Sequence, residues 1–392
     1  MNAVVSLPDL QKRALAEWLE ALGATLDLSE TRLETARSAY ESIGAWLANG
    51  AHPWLQDAAI TPHGSTALGT AVSPLSGDEF DVDAMLHLPL VPPQAAPRTV
   101  KAVVGARLRE HATYAAMLEE KARCWRLSYA GDFHLDLTPS IDCPPVAPPA
   151  VVVPDRPLER WLPSNPRGFR DWFDRRAALA PVAHESDRVL AKRGTVAPFP
   201  VQTGRRGVLR RVVQILKRHR DQRFADTPSA DARPISIIIT TLAAHAYEHV
   251  VLSQSFDNDF DVVVATVRAM PAFIRREAGP GERYRVENPT VRGENFADKW
   301  NRDPALPEAF FVWHERACRD LERLFELQGE DQLARHLNET FGRGAGSAVL
   351  SSRVAKISTA RADRSLRHAA GVGLVTGTAG GVAVRPNTFF GR

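Results

Sequence analysis

Residues 64–83 read GSTALGTAVSPLSGDEFDVD, from Gly64-Ser65 to Asp83. The stretch opens on a small-residue turn. It closes on acids at alternating positions, Glu79, Asp81 and Asp83, ahead of the apolar run Ala84-Met85-Leu86-His87-Leu88. A strand alternates its side chains between two faces, so the three carboxylates share one face and Phe80 and Val82 take the other. Like charges stacked on one face cost stability unless a cation neutralises them. A hard cation held by oxygen ligands, above all Mg²⁺ bridging a nucleotide's phosphates, is the ordinary partner of such an arrangement. The Gly64-Ser65 turn adds backbone N–H groups and a hydroxyl at a helix start, a cradle suited to phosphate. Taken singly, each acid reads as a solvated turn residue. The order of Gly-Ser, short spacer, D-x-D and hydrophobic strand is what points to chemistry.

A third acid follows from the same kind of pattern. Residues 123–130 and 132–138 read as two strands around the turn Ala130-Gly131-Asp132, a hairpin signal. In the second strand Phe133, Leu135 and Leu137 share one face, and His134, Asp136 and Thr138 the other. In a strand adjacent to the D-x-D strand, the Asp136 carboxylate would lie about 5 Å away. The competing reading is a solvent-facing Asp ahead of Pro139.

These residues carry a resemblance. Gly64-Ser65 followed by Asp81-Val82-Asp83 resembles the signature of the DNA polymerase β-like nucleotidyltransferase superfamily. The longer GDEFDVD, with Asp136 in HLDLTP, looks like the branch that contains cyclic GMP–AMP synthase, oligoadenylate synthetase and the bacterial CD-NTases. The resemblance implies an α+β fold: a nucleotidyltransferase lobe with a mixed sheet, a helical lobe, and an active site in the cleft between them. It implies two-metal phosphoryl transfer. Asp81, Asp83 and Asp136 would hold two Mg²⁺ ions, or Mn²⁺ in their place, against NTP substrates, ATP among them. Gly64 and Ser65 would cradle phosphate.

Two further residues fit the donor triphosphate by the same resemblance: Lys217, in Leu216-Lys217-Arg218-His219-Arg220, and Ser236, in Arg233-Pro234-Ile235-Ser236. Their bland readings are a solvated helix lysine and a helix-start serine. In animal cyclic GMP–AMP synthase the acidic pair reads E-F-D, matching Glu79 and Asp81, so Glu79 stands as an alternative to Asp83. The implied product is a cyclic di- or trinucleotide signal in bacterial anti-phage defence. Two other functions stay open: transfer of nucleotides to an RNA end or a protein acceptor, and a non-catalytic nucleotide sensor.

Composition sets outer limits. The 392 residues are 44% hydrophobic and 24% charged, the profile of a globular protein with room for two lobes. The net charge of +3 hides an asymmetry: from Phe341 onward there are eight Arg or Lys and one acid, so residues 1–340 sum to −4. A slightly acidic body argues against general affinity for long nucleic acid, which depends on many basic contacts. Cys124, Cys143 and Cys318 form no C-x-x-C pair, which argues against structural zinc and suits a reducing cytoplasm. No secretory signal and no uncharged run of membrane-spanning length is present; residues 234–252 come nearest but carry His245, Glu248 and His249.

Domain organisation is expected as follows. Residues 1–50 form two N-terminal helices, an inter-lobe spine, the second opened by a Thr31–Glu34 capping box. Residues 51–165 form the catalytic core, ending in a Pro-rich crossover. Residues 166–340 form a helical substrate lobe, in which the β-branched run Ile235-Ser236-Ile237-Ile238-Ile239 is read as helix on the family resemblance. Asn295 and Trp300 read as capping and packing residues. Residues 341–392, rich in Ala, Gly, Ser and Thr, are expected to be a flexible basic tail. The resemblance offers that tail as a handle for a ubiquitin-like transfer enzyme.

Overall fold

The computed structural model describes residues 7–75, 79–143, 150–155, 157–183, 207–277, 283–369, 373–375 and 382–385. Gly77 and Asp78 of the opening stretch, Pro144–Pro149 of the crossover and most of the Gly-rich segment beyond 370 lie outside them.

Two helices come first, α1 (Leu7–Leu26) and α2 (Glu30–Ala48). The N-cap of α2 is Ser29, whose hydroxyl accepts from the Arg32 amide at 3.3 Å. The helix therefore opens ahead of the Thr31–Glu34 box expected to start it. Next come β1 (Ala59–His63), the single turn α3 (Gly64–Leu68) and β2 (Phe80–His87). Helices α4 (Pro97–Arg109) and α5 (Ala112–Met117) lead into β3 (Leu118–Glu120), β4 (Trp125–Tyr129) and β5 (Phe133–Asp142). Strands β6 (Val151–Pro154) and β7 (Trp161–Ser164) precede α6 (Pro166–Ala177). The later helices are α7 (Val208–Phe224), α8 (Ser236–Ser253), α9 (Asp259–Ala269), α10 (Ala305–Glu326), α11 (Glu330–Phe341) and α12 (Ala345–Ala362).

The chain divides into two compact units. One holds Asp27–Arg175 and Glu287–Phe296; the other holds Met1–Leu26, Arg176–Val286 and Ala297–Arg392. The division falls between α1 and α2, so the two N-terminal helices expected to act as one spine belong to different units. It also gives most of α6 to the sheet unit rather than to the helical one.

The sheet unit is built on the order β1-β2-β5-β4-β3, with β6 added to β5 and β7 beyond it. Only β2 and β5 run parallel; the other pairs in this sheet are antiparallel, which makes it mixed. Alternation decides which face is buried. Phe80, Val82 and Ala84 of β2 and Phe133, Leu135 and Leu137 of β5 turn into a core shared with Ile43 and Leu47 of α2 and Val100, Val104 and Leu108 of α4. Each such aliphatic or aromatic side chain contributes about 1.5–3 kcal/mol by leaving water. That burial holds the polar face of β2 and β5 in place.

In the helical unit, α8 has a buried run from Ile238 through Ala244, so its whole circumference is buried there. A helix buried all round shows little periodicity, which is why the sequence read equally as strand. Trp300 is buried and packs at a tilt against Phe310, centroids 5.1 Å apart, in the packing role expected of it.

The expectation of a flexible tail from residue 341 fails for residues 345–362. Here α12 packs on α1 and α11, burying Val349 and Ala360. The Gly346 amide donates to Asn338 Oδ1 at 2.8 Å, and a Cβ on Gly346 would strike the backbone of Ala334. Small residues, read as a sign of disorder, here let two helices approach closely.

Candidate active site on the polar face of the sheet

Strand register assembles the site. In the parallel ladder Asp83 stands directly opposite Asp136, and Asp81 opposite His134. In the antiparallel ladders His63 stands opposite Asp83, and Arg126 opposite Asp136. Directly paired residues share a face, so Asp81, Asp83, Asp136, His63, His134 and Arg126 all stand on the side away from the core. The structure thus brings the three predicted carboxylates together on adjacent strands.

Gly64 joins them. It sits at the β1–α3 junction with φ of +63°, a left-handed conformation that glycine adopts without cost. A Cβ built there would collide with Oδ2 of Asp83. Ser65 occupies the first turn of α3, and its carbonyl accepts from the Thr70 amide at 2.9 Å as the turn closes. The Gly-Ser turn therefore lies against the D-x-D strand in space as well as near it in sequence.

Three residues that the sequence did not single out complete the electrostatics. Arg126 donates through Nε to Asp136 Oδ1 and through Nη2 to Asp136 Oδ2, both at 2.7 Å, and through Nη2 to Asp81 Oδ1 at 3.0 Å. Donating to Asp136 holds the Arg126 guanidinium above its ordinary pKa, so it is a permanent cation. His63 has an enclosed Nε2 with no hydrogen-bond partner among the described residues. Burial holds its imidazole below the ordinary 6.5, against the opposing pull of Asp83 and Asp136. His134 pairs with Glu79 at 2.8 Å, and Glu79 also accepts from the Gly131 amide at 2.7 Å. Cys124 lies in the field of the same carboxylates. Burial pushes its thiol up to about 12, which keeps it protonated and unsuited to ligation.

The donor set suits a hard divalent cation. It offers carboxylate oxygens from three residues on one face of adjacent strands, and a cation, the Arg126 guanidinium, already bridges two of them. Among the described residues no group of three or more His, Cys, Asp or Glu side chains forms a ready-made metal cage. Asp136 is held by Arg126, so the carboxylates suit a divalent cation once that bond yields.

Lys217 and Ser236 belong to the other unit. Lys217 is buried on α7, and Ser236 opens α8. Arg220, three residues after Lys217, donates through Nη1 to Ser236 Oγ at 2.9 Å and to the Pro234 carbonyl at 3.0 Å. The two predicted phosphate residues therefore stand on helices joined by that arginine.

The chain is similar to known nucleotide synthases. The family model described as the Second Messenger Oligonucleotide or Dinucleotide Synthetase domain matches residues 14–176, which include Gly64, Ser65 and all three carboxylates. The chain is 28% identical over 384 residues to the c-di-GMP synthase of Roseivirga ehrenbergii, covering 97% of this chain and 98% of that one. It is 24% identical over 278 residues to the cyclic dinucleotide synthase CdnG of Bradyrhizobium diazoefficiens, covering 67% of this chain and 64% of that one. Among solved structures, the Bradyrhizobium CdnG in complex with GTP matches with a TM-score of 0.64 at 21% identity, over 86% of this chain and 98% of that one. The Escherichia coli CdnC with ATP matches with a TM-score of 0.58 at 14% identity, over 83% and 96%. No helix among the described residues is long and apolar enough to cross a membrane. With a polymerase β-like sheet that sets Asp83 opposite Asp136, the synthetase-domain match over residues 14–176 and a synthase relative aligned over nearly the whole chain, the protein is similar to bacterial CD-NTases over most of its length.

Proposed function

We infer that this chain condenses nucleoside triphosphates into a cyclic oligonucleotide, and that its product is a cyclic dinucleotide containing guanine. The observation that carries the reading is the register of Asp83 against Asp136 with Asp81 on the same face. The choice of guanine rests on the c-di-GMP synthase relative aligned over nearly the whole chain.

Asp81, Asp83 and Asp136 would hold Mg²⁺, or Mn²⁺ in its place. When bound, these ions neutralise the donor triphosphate and favour ionisation of the acceptor hydroxyl. A 2′- or 3′-hydroxyl of one nucleotide attacks the α-phosphorus of another; the new P–O bond forms as the bond to pyrophosphate breaks. A second such transfer closes the ring. Gly64 leaves room beside Asp83, and Ser65 presents its hydroxyl and amide to phosphate. Lys217 and Ser236 are assigned to the donor's phosphates on their resemblance to the family's pattern. The same resemblance places the signal in anti-phage defence, with regulators encoded beside it.

Purified protein incubated with Mg²⁺ or Mn²⁺ and the four NTPs, singly and mixed, tests this by mass spectrometry of phosphatase-resistant products. A cyclic dinucleotide from GTP, lost in Asp81→Asn, is expected. Product that forms only when RNA or a protein acceptor is added would replace this reading with terminal nucleotide transfer.

A further inference from the structure

We propose that Arg126 is the resident counter-cation of the carboxylate site: it competes with divalent metal for Asp136 and Asp81 and must be displaced from Asp136 before the site loads. The proposal rests on the metal-dependent reading above. Three observations carry it. The guanidinium spans both carboxylate oxygens of Asp136 at 2.7 Å, the fork geometry that makes arginine–carboxylate pairs strong. The same Nη2 reaches Asp81 at 3.0 Å, so one positive charge serves two of the three acids. The side chain is held from below, because Arg126 stands opposite Asp136 in the β4–β5 ladder and is flanked on its strand by the buried Trp125 and Leu127.

The groups facing this pair are otherwise engaged: Glu79 is bound to His134 and to the Gly131 amide, and Glu119, opposite Arg126 in the β3–β4 ladder, pairs with Lys121. Three carboxylates on adjacent strands repel one another, and Arg126 is the cation bonded to two of them. It thereby prevents the cluster from splaying and holds the Asp136 carboxylate in one orientation. The same bond opposes metal entry. A divalent ion carries twice the charge and prevails when the phosphates of a nucleotide arrive with it, so Arg126 makes loading depend on substrate. This is a positioning role, exerted through Asp136.

The test is Mn²⁺ binding to the full chain without nucleotide, read from the electron paramagnetic resonance signal of free Mn²⁺. Arg126→Gln is expected to bind Mn²⁺ about tenfold more tightly than wild type, because a unit positive charge a few ångströms from the ion is removed. Arg126→Lys, which keeps the charge but loses the fork, should gain about threefold. Adding Asp83→Asn to Arg126→Gln should abolish the gain, which places the counted ion at this site. Unchanged or weaker Mn²⁺ binding in folded Arg126→Gln overturns the proposal. So does failure of both single variants to fold, since the pair would then be a clamp the protein cannot release. Absence of Mn²⁺ binding by wild type even with a non-hydrolysable GTP analogue would instead sink the metal-dependent reading itself, and the competition with it.

Discussion

Gly64 and Asp83 exclude one another's side-chain space: a Cβ on Gly64 would overlap the Oδ2 oxygen of Asp83. The turn that introduces the first site helix and the strand that carries the acids are therefore fitted to each other at one point. Replacing Gly64 with alanine imposes two penalties. The positive φ of +63° costs about 1 kcal/mol for a residue with a Cβ. The added methyl must also push Asp83 out of register with Asp136. Gly64→Ala is expected to lower product formation by about a hundredfold or more, since small displacements of catalytic groups cost that much. The melting temperature should fall by only a few degrees. A variant with near wild-type turnover would show that Asp83 tolerates displacement and is not a ligand.

Glu79 and Asp83 compete in sequence for the role of second metal ligand, and their surroundings differ. Glu79 is committed to the β4–β5 turn through the Gly131 amide and to His134. Asp83 stands across from Asp136 and beside Gly64. Asp83→Asn and Asp136→Asn should each lower turnover by about two orders of magnitude or more, the scale expected when a group stabilising developing charge is lost. Glu79→Gln should stay within about tenfold of wild type, because it keeps one acceptor for Gly131. The reverse ranking, measured as pyrophosphate release, would move the metal site one step toward the start of β2.

Much of this site was legible from pattern. The acids of β2 announced themselves by alternation, and the Ala130-Gly131-Asp132 turn marked the β4–β5 hairpin. Helix α7, Val208–Phe224, shows its apolar residues Leu209, Val212, Val213 and Leu216 at helical spacing. Arg126 was missed, although the signal was present: strands pair at equal steps from a hairpin turn, which sets Arg126 opposite Asp136. His63 offered no such signal. Its neighbour Asp83 lies across a ladder closed by a long connection, and that register follows from burial of one sheet face rather than from any local turn. The tail was misread because apolar periodicity detects large side chains, whereas α12 is held by small ones.

Asp320, on α10, ties the helical unit together at one buried carboxylate. His219 lies at 3.1 Å from its Oδ2, Arg316 donates to the same oxygen at 2.8 Å, and His336 bonds its backbone carbonyl at 2.8 Å. Burial alone would raise the carboxyl, but the bonds from His219 and Arg316 more than offset it and hold it below the ordinary 3.8. A depressed native value means that the unfolded chain takes up the proton first. The stabilisation is therefore complete above the ordinary carboxylate range and is lost as pH falls through the depressed value. Asp320→Asn should cost about 3 kcal/mol at neutral pH, the scale for breaking a buried pair. The gap to wild type, read from urea midpoints, should hold steady from about pH 7 to about pH 5 and narrow as pH falls below about 4. A gap that does not change with pH would mean that packing, not the ion pair, explains the loss.

Helix α12 alters how the C-terminal segment must be tested. Val349 and Ala360 are buried, Leu366 beyond the helix is 2% exposed, and Arg353 pairs with Glu330 at 2.6 Å while its guanidinium lies over Trp18. Truncation after Arg343 removes all of these and exposes apolar surface of α1 and α11. Each buried aliphatic side chain contributes about 1.5–3 kcal/mol. The melting temperature of that truncation is therefore expected to fall by roughly 5 °C or more. Truncation after Arg385 removes only residues outside the described structure and should leave it within about 2 °C of wild type. Only the shorter deletion can therefore ask whether the terminus serves as a handle for a transfer enzyme. Loss of attachment with an unchanged melting temperature would support that role. Equal melting temperatures for both truncations would show instead that α12 contributes nothing to the fold it packs against.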